Sequence, residues 1–460
     1  MRRDPPGRPA PPLAWPAVTV QLPVYDERLV VERSIAAAAA LDYPAGLLEI
    51  QVLDDSTDDT CALAAAAVAR HRARGVNIVH LRRAGRAGFK AGALAGGLSC
   101  ASGELVAIFD ADFVPPADFL RRTVPHFADP RVGLVQARWG HLNRDRSALT
   151  TAQAVLLDAH FLLEHGSRSA GGLYFNFNGT AGVWRRACIE AAGGWSHDTL
   201  TEDLDLSYRA QLAGWRFVFV RDVVAPAELP GDMEALRSQQ RRWAKGSIQT
   251  ARKLLPNLLA SPLPPRVKLE AVLHLTANAA YPLLLALALL LLPVLVVTTG
   301  ASPPVTWALQ AGTVLLGVLP VGLFLAAGQA ASGGRGARIA WDVAAALVLG
   351  VGLSVNNARA VLEGLGPRLG EWERTPKSGE RDGGPAPAAR ARYTPAGAAA
   401  GWGELALALY SAVLAAFALG MRDYRALPFA LLLVAGFGAV GAGSLRARLA
   451  ARARPAATGG

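Results

Sequence analysis

The chain has 460 residues, a net charge of +11 and 52% hydrophobic residues. That length exceeds one ordinary domain, and no acidic or basic block in the first half marks a nucleic-acid surface. To about residue 265 the sequence is charged and alternates strand and helix patterns; beyond it long uncharged stretches dominate, and arginines on their cytoplasmic side account for the positive excess.

Residues 1–16 are Arg- and Pro-rich with no apolar core behind them. They read as a short disordered lead, neither signal peptide nor membrane span. Cys61, Cys100 and Cys188 have no metal spacing and read as reduced structural thiols of a cytosolic domain.

Val18 to Pro23 predicts the first strand, and Tyr25-Asp26-Glu27 begins a helix running to Leu41. Ile50 to Leu53 predicts the second strand, ending in Asp54-Asp55-Ser56-Thr57-Asp58-Asp59. Ser56 or Asp58 suits a cap for a helix over 60–73. Asp54 and Asp55 stay at the strand edge, where a nucleotide base and ribose can be held. Val76 to Leu81 predicts a third strand, followed by a loop in which arginines and Lys90 alternate with Gly85, Gly88 and Gly92. Backbone N–H groups, a helix N-terminus and Lys90 there suit a diphosphate; a solvated basic loop is the plain alternative.

Val106-Ala107-Ile108-Phe109 then runs straight into Asp110-Ala111-Asp112. A strand buried on both faces should not end in unpaired acids. At the carboxyl edge of an open α/β sheet such a pair has a use: it can share a hard divalent cation with a diphosphate. An acidic turn is the plain alternative. A helix near 116–127 and a strand over 132–137 continue the alternation, which indicates a doubly wound α/β domain.

Residues 147–167 predict a helix. The cluster from Tyr174 to Gly182 contains Asn178-Gly179-Thr180, an N-glycosylation triplet that a cytosolic domain does not use. Its aromatics and amides suit a sugar-binding wall, or a plain hairpin turn. Thr201-Glu202-Asp203-Leu204-Asp205 opens a helix to Leu212, with Thr201 as cap and acids in the first turn. Gln239-Gln240-Arg241-Arg242-Trp243 lies in an amphipathic helix that suits a membrane surface. Trp243 also offers a platform for a sugar ring, and Arg242 a partner for phosphate.

Ala271–Thr298, Pro304–Ala331, Leu405–Met421 and Ala426–Leu445 are long and apolar enough to span a bilayer. Val343–Val355 has only 13 uncharged residues, flanked by Asp342, Asn356, Asn357 and Arg359, and reads as interfacial. Residues 365–400 are polar and Pro/Gly-rich.

The order Asp-Asp, Lys in a Gly-rich loop, Asp-x-Asp, Thr-Glu-Asp and Gln-x-x-Arg-Trp resembles the family 2 glycosyltransferases of the cellulose synthase superfamily. The stretches Gln51–Thr57, Gly88–Leu94, Ala107–Phe113, Val135–Trp139 and Asn178–Arg185 look most like the cellulose-synthase-like A group, which contains the glucomannan 4-β-mannosyltransferases. The resemblance implies a GT-A type nucleotide-sugar-binding domain followed by a transmembrane α-helical region. It implies that Asp54 and Asp55 contact the nucleoside, Lys90 the diphosphate, and that Asp110 and Asp112 hold Mg²⁺ or Mn²⁺. Asp203 becomes the general base, with Glu202 beside it. Asn178, Gly179, Thr180, Gln239, Arg242 and Trp243 line the acceptor and diphosphate side. Glu371-Trp372-Glu373-Arg374-Thr375-Pro376-Lys377 resembles the family's gating loop, with Thr375 and Lys377 reaching the donor.

The expected organisation is a cytosolic transferase domain over 17–265, two spans and an interfacial helix over 266–364, the gating loop and linker over 365–400, two spans over 401–446 and a basic cytosolic tail over 447–460. Localisation follows: a multi-pass inner or cell membrane protein with its catalytic domain in the cytosol, beside its nucleotide-sugar donor. The expected function is inverting transfer of a hexose from UDP-glucose or GDP-mannose to a growing β-glycan. A single in-line displacement needs one carboxylate to take the acceptor proton, which frees the other acids for nucleoside and metal. Single transfer to a lipid acceptor is the alternative within enzymes. A non-catalytic polysaccharide export subunit is the alternative from another class, but an exporter has no use for Asp110, Asp112, Asp203 and Trp243.

Overall fold

A computed structural model of the chain describes residues 9–298, 312–370, 374–384 and 401–452. Half of the expected lead, the start of the second expected span, residues 371–373 of the loop, 385–400 of the linker and 453–460 of the tail lie outside the described residues.

Seven strands form one sheet. β1 (Val18–Val24), β2 (Leu48–Asp54), β3 (Ile78–Arg82) and β4 (Leu105–Ile108) pair in parallel, and the sheet order is β3-β2-β1-β4-β6-β5-β7. β5 (Val132–His141) and β7 (Arg216–Ala227) are parallel to each other, while β6 (Gly182–Arg185) runs antiparallel to both β4 and β5. Apolar alternation assigns each face its own core: Leu105 and Ala107 of β4 enter one cluster, Val106 and Ile108 the other. Both faces are covered by helices, so β4 is buried throughout. Chain order reverses direction at β1 and β4, and a crevice opens beyond their carboxyl ends.

α1 (Val31–Ala39) starts well after the expected Tyr25. Asp26 adopts a φ of +52°, its N–H donates to Ser56 Oγ, and its carboxylate accepts from the Thr57 N–H. These bonds tie the segment to the end of β2 and keep it out of a helix. α2 (Thr60–Arg72) is capped at the Asp58 carboxylate, which accepts from the Thr60 N–H; Ser56 is occupied by Asp26. α3 (Phe89–Cys100) follows the Gly-rich loop. The helix expected over 116–127 is split into α4 (Phe119–Thr123) and a 3₁₀ turn that contains Pro125, which lacks the N–H to continue the ladder.

α5 (Ala148–Ala159) passes through a π-turn at His160–His165 into α6 (Gly166–Gly171). After β6 come α7 (Arg186–Ala191), α8 (Glu202–Leu212), β7 and the 28-residue α9 (Met233–Ala260). The sequence reading missed β6 and β7, although Phe217–Val220 is a continuous apolar run.

α10 (Pro265–Thr276) and α11 (Ala280–Val297) together make one 33-residue apolar stretch. α12 (Leu319–Ala331) is short, and α13 (Ala337–Gly352) meets α14 (Ser354–Gly364) at a 47° bend that falls within Val343–Val355. α15 (Trp402–Gly420) and α16 (Leu427–Arg452) form an antiparallel pair. Among the described residues three helical stretches are long and apolar enough to cross a membrane, Pro265–Val297, Trp402–Gly420 and Leu427–Leu449, or four if the bent pair counts as one. Leu283 (70% exposed) and Leu409 (69%) point outward, with Trp341, Trp402 and Tyr424 exposed near helix ends. Outward leucines bounded by aromatics suit a lipid-facing belt. α10, α14 and α16 pack on α9, α12 and α13 pack on α5, and α13 also packs on α16, so the apolar half grips the sheet domain through several of its helices.

Candidate active site

A solvent-open cleft of about 1230 Å³ lies beyond the carboxyl ends of β1 and β4. Asp55, Lys90, Asp110, Asp112, Asn178, Gly179, Glu202, Asp203, Gln239, Arg242, Trp243, Thr375 and Lys377 all line it. These residues come from seven separate stretches of sequence, brought to one place by the strand order.

Asp110 leaves the end of β4 with its N–H bonded to Thr180 Oγ1 at 2.9 Å. Its Oδ1 accepts from Lys90 Nζ at 2.5 Å, and Lys90 also donates to the Gly179 carbonyl at 2.9 Å. Asp112 Oδ2 accepts from Lys377 Nζ at 2.6 Å. Burial opposes the charge on each lysine, but Asp110 and Asp112 respectively outweigh it and hold both ammonium groups above their ordinary range. Two carboxylates thus face the cleft with their charge met by two ammonium groups. Their hard oxygen donors suit Mg²⁺ or Mn²⁺.

Asp203 sits in the first turn of α8, where its Oδ1 accepts from the Leu204 N–H at 2.8 Å. A Cβ added at Gly179 would lie 2.9 Å from Asp203 Oδ2, and Gly179 has a φ of +80°, so the turn admits only glycine. Burial first, and then the neighbouring Glu202 carboxylate, push Asp203 up to about 7. A carboxylate tuned to that range suits proton abstraction near neutrality. Thr201 holds the N-cap position of α8, but its hydroxyl meets Thr250 Oγ1 of α9 at 3.1 Å instead of capping the helix. A Cβ on Gly246 of α9 would fall 2.6 Å from Thr201 Cγ2 and 3.0 Å from its backbone N. The turn carrying Asp203 is therefore in backbone contact with the helix carrying Gln239, Arg242 and Trp243.

Two expected residues do not reach the cleft. Asp54 is buried, its Oδ1 accepting from the Ser56 N–H and its Oδ2 paired with His80 Nε2, each at 2.8 Å. Burial would raise its pKa, but the bonds from His80 and Ser56 outweigh that and hold it below the ordinary carboxylate range. Thr180 is wholly buried and acts through its hydroxyl on Asp110. Cys61 is not isolated, contrary to its sequence spacing: its Sγ, an Asp54 oxygen and a His80 nitrogen lie within 4.8 Å of one another.

Asp55 is held by Arg83, whose Nε is 3.0 Å from Oδ1 and whose Nη2 meets Oδ2. Arg83 also donates to the carbonyls of Ala87 and Phe89, bracing the Gly-rich loop.

The sequence reading missed several lining residues. Tyr25 lies beneath the Arg86 guanidinium, 3.3 Å from ring centroid to Cζ. Glu27 pairs with Arg374 at 3.1 Å, and burial above all pushes it up to about 8. Glu228, directly after the unread β7, accepts from the Ser378 and Gly379 N–H groups and docks the 374–384 segment over the cleft. Only Tyr25 and Glu27 carried a signal, as polar residues directly beyond a strand.

The chain matches the family model described as "Glycosyltransferase like family 2" over residues 16–246. It is 44% identical over 253 residues to glucomannan 4-beta-mannosyltransferase 2 of Arabidopsis thaliana, covering 53% of this chain and 47% of the relative. It is 45% identical over 250 residues to probable glucomannan 4-beta-mannosyltransferase 10 of the same plant, covering 53% and 45%. The chain thus spans about half the length of these relatives. Among solved structures it is similar to a mannosyltransferase from Pyrobaculum calidifontis in complex with GDP-Man and Mn²⁺, at 24% identity and a TM-score of 0.48, covering 77% of this chain and 89% of that one.

Proposed function

Since the chain belongs to the glycosyltransferase family 2 group, with a seven-stranded mixed sheet of the GT-A type, we propose that it is a membrane-embedded inverting transferase that moves mannose from a nucleotide sugar onto a growing β-glycan. The mannosyl choice rests on its 44–45% identity to the glucomannan 4-beta-mannosyltransferases. The observation that carries the reading is the convergence of Lys90, Asp110, Asp112 and Asp203 in one cleft with Trp243.

Asp110 and Asp112 would hold Mg²⁺ or Mn²⁺, which when bound neutralises charge on the donor diphosphate. Lys90 adds a cation fixed on the same side. Asp55 and the Tyr25–Arg86 stack face the nucleoside end. Asp203 takes the proton of the attacking hydroxyl, and a single displacement turns an α-linked donor into a β-linkage. Trp243 offers its indole face to the acceptor sugar.

Incubating membranes that contain the full chain with labelled GDP-mannose or UDP-glucose tests this. The expected result is label from GDP-mannose in a β-linked polymer, dependent on divalent metal. Incorporation only into lipid-soluble material would replace this reading with single transfer to a lipid. For topology, a cysteine at residue 377 should resist impermeant labelling from outside intact cells, because the loop must share the donor's compartment; labelling from outside overturns the cytosolic placement.

A further inference from the structure

The turn that presents Asp203 and the segment that covers the cleft come from distant parts of the chain, yet one side chain holds both. Gln249 lies on α9, is buried and does not line the cleft. Its Oε1 accepts from the Leu200 N–H at 3.0 Å. Its Nε2 donates to the Leu369 carbonyl at 3.0 Å and to the Arg368 carbonyl at 3.4 Å. Every partner is a backbone group of fixed role, because a peptide N–H only donates and a peptide carbonyl only accepts. The amide therefore has one orientation, and no titratable group sets it.

On one side, Leu200 lines the cleft with Thr201, Glu202 and Asp203, so Gln249 grips the turn just ahead of the proposed base. On the other side, residues 366–370 are seated on α9. Arg252 of that helix donates to the carbonyls of Gly364 and Gly366 at 3.2 and 2.6 Å. Gly370 has a φ of +87°, and a Cβ there would stand 2.7 Å from Lys245 Nζ and 3.9 Å from Leu200 Cδ1. Residues 366–370 are the root of the 374–384 segment. Three residues separate Gly370 from Arg374, a tether too short to absorb a large shift of the root. Beyond it Arg374 pairs with Glu27 and Lys377 with Asp112, both cations mostly buried, and Thr375 and Lys377 line the cleft.

We propose that Gln249 is a positioning residue for transfer, a staple between the turn that carries Asp203 and the root of the 374–384 segment that holds the base in register with Thr375 and Lys377. The role rests on the transferase reading above. Two or three neutral hydrogen bonds contribute modestly to stability. A small displacement of a reacting group costs far more in rate. A staple and a packing residue therefore differ in what their loss changes.

Gln249→Met keeps the volume and removes both sides of the staple. Gln249→Asn, one methylene shorter, cannot reach both sides and stands in if the methionine variant does not fold. In membranes that contain the full chain, either variant should lower kcat for transfer from labelled GDP-mannose roughly 10- to 100-fold. Tryptic cleavage after Arg374 and Lys377, followed by mass spectrometry without donor, should be roughly 3- to 10-fold faster, as the loss of one or two neutral hydrogen bonds allows. Gln249→Glu keeps an acceptor for the Leu200 N–H whether or not it is ionised, and should recover most of the kcat. A change in only one of the two readouts, a change in neither, or no recovery in Gln249→Glu overturns the proposal. A wild type that transfers from neither GDP-mannose nor UDP-glucose overturns the transferase reading, and the positioning role with it, even where the cleavage rates differ.

Discussion

Two strands of this sheet end in a pair of aspartates, and the two pairs have opposite fates. After β2, Asp54 turns inward to His80 and Ser56 while Asp55 turns to the cleft and Arg83. After β4, Asp110 and Asp112 both face the cleft, each met by a lysine. Asp54 and Asp55 still follow the extended backbone at the end of β2, which sends neighbours to opposite faces. Asp110 and Asp112 lie beyond β4 in a turn closed by the Phe113 N–H on the Asp110 carbonyl, and that turn brings both acids to the cleft.

The contrast is sharpest under alanine substitution. Asp110→Ala and Asp112→Ala should each reduce transfer to background and remove its response to divalent metal in a radiolabelled transfer assay. Asp54→Ala should keep measurable, metal-stimulated transfer and instead lose about 1–3 kcal/mol of stability in thermal melts, because the Ser56 N–H and His80 lose their partner. Metal-independent turnover in either of the first two, or a dead but fully stable Asp54 variant, would break the comparison.

The next effect belongs to Asp203, the base proposed above. Asp203→Asn should lower kcat by roughly 10²–10⁴-fold with donor affinity nearly unchanged by equilibrium binding, since the proton it takes is on the acceptor. Trp243→Ala should raise the acceptor KM by roughly 2- to 10-fold, the range of one aromatic face contact, and leave donor affinity alone. Equal losses for donor and acceptor would make Trp243 a structural residue of α9.

The smallest change is a displacement of the pH profile. A base works only when deprotonated, and Asp203 is held at about 7, so kcat/KM should rise with pH through that region. Glu202→Gln removes the second cause of the upward shift and leaves burial, so the acidic limb should move partway to lower pH. An unmoved limb would show that Glu202 does not act on Asp203.

These cases also mark what the sequence could convey. Strands β1 to β5, the Asp-x-Asp edge and the Gly-rich loop were legible because apolar runs, glycines and charges alternate locally. The inward turn of Asp54 was open to the same period-two rule, but its partner His80 lies on another strand, in pairing that only the sheet order supplies. The antiparallel β6 is short and follows an irregular aromatic stretch, so no periodicity announced it. Glu228 was invisible because its role depends on the 374–384 segment returning from beyond α14 to dock on it. The late start of α1 was hidden for a similar reason: Asp26 answers to Ser56 and Thr57, not to its own neighbours.

The contact of Gly246 with Thr201 bears on how such enzymes can be recombined. With no room for a Cβ between α9 and the turn before α8, neither can be exchanged for a foreign version while the other is kept. The same helix is pinned on another side, where a Cβ on Gly364 of α14 would meet the Lys245 carbonyl at 2.8 Å. A chimera designed to change the acceptor has to transplant the turn, α9 and α14 as one cassette. Splicing at the ends of α9 alone would join each half of the protein to a surface cut for something else.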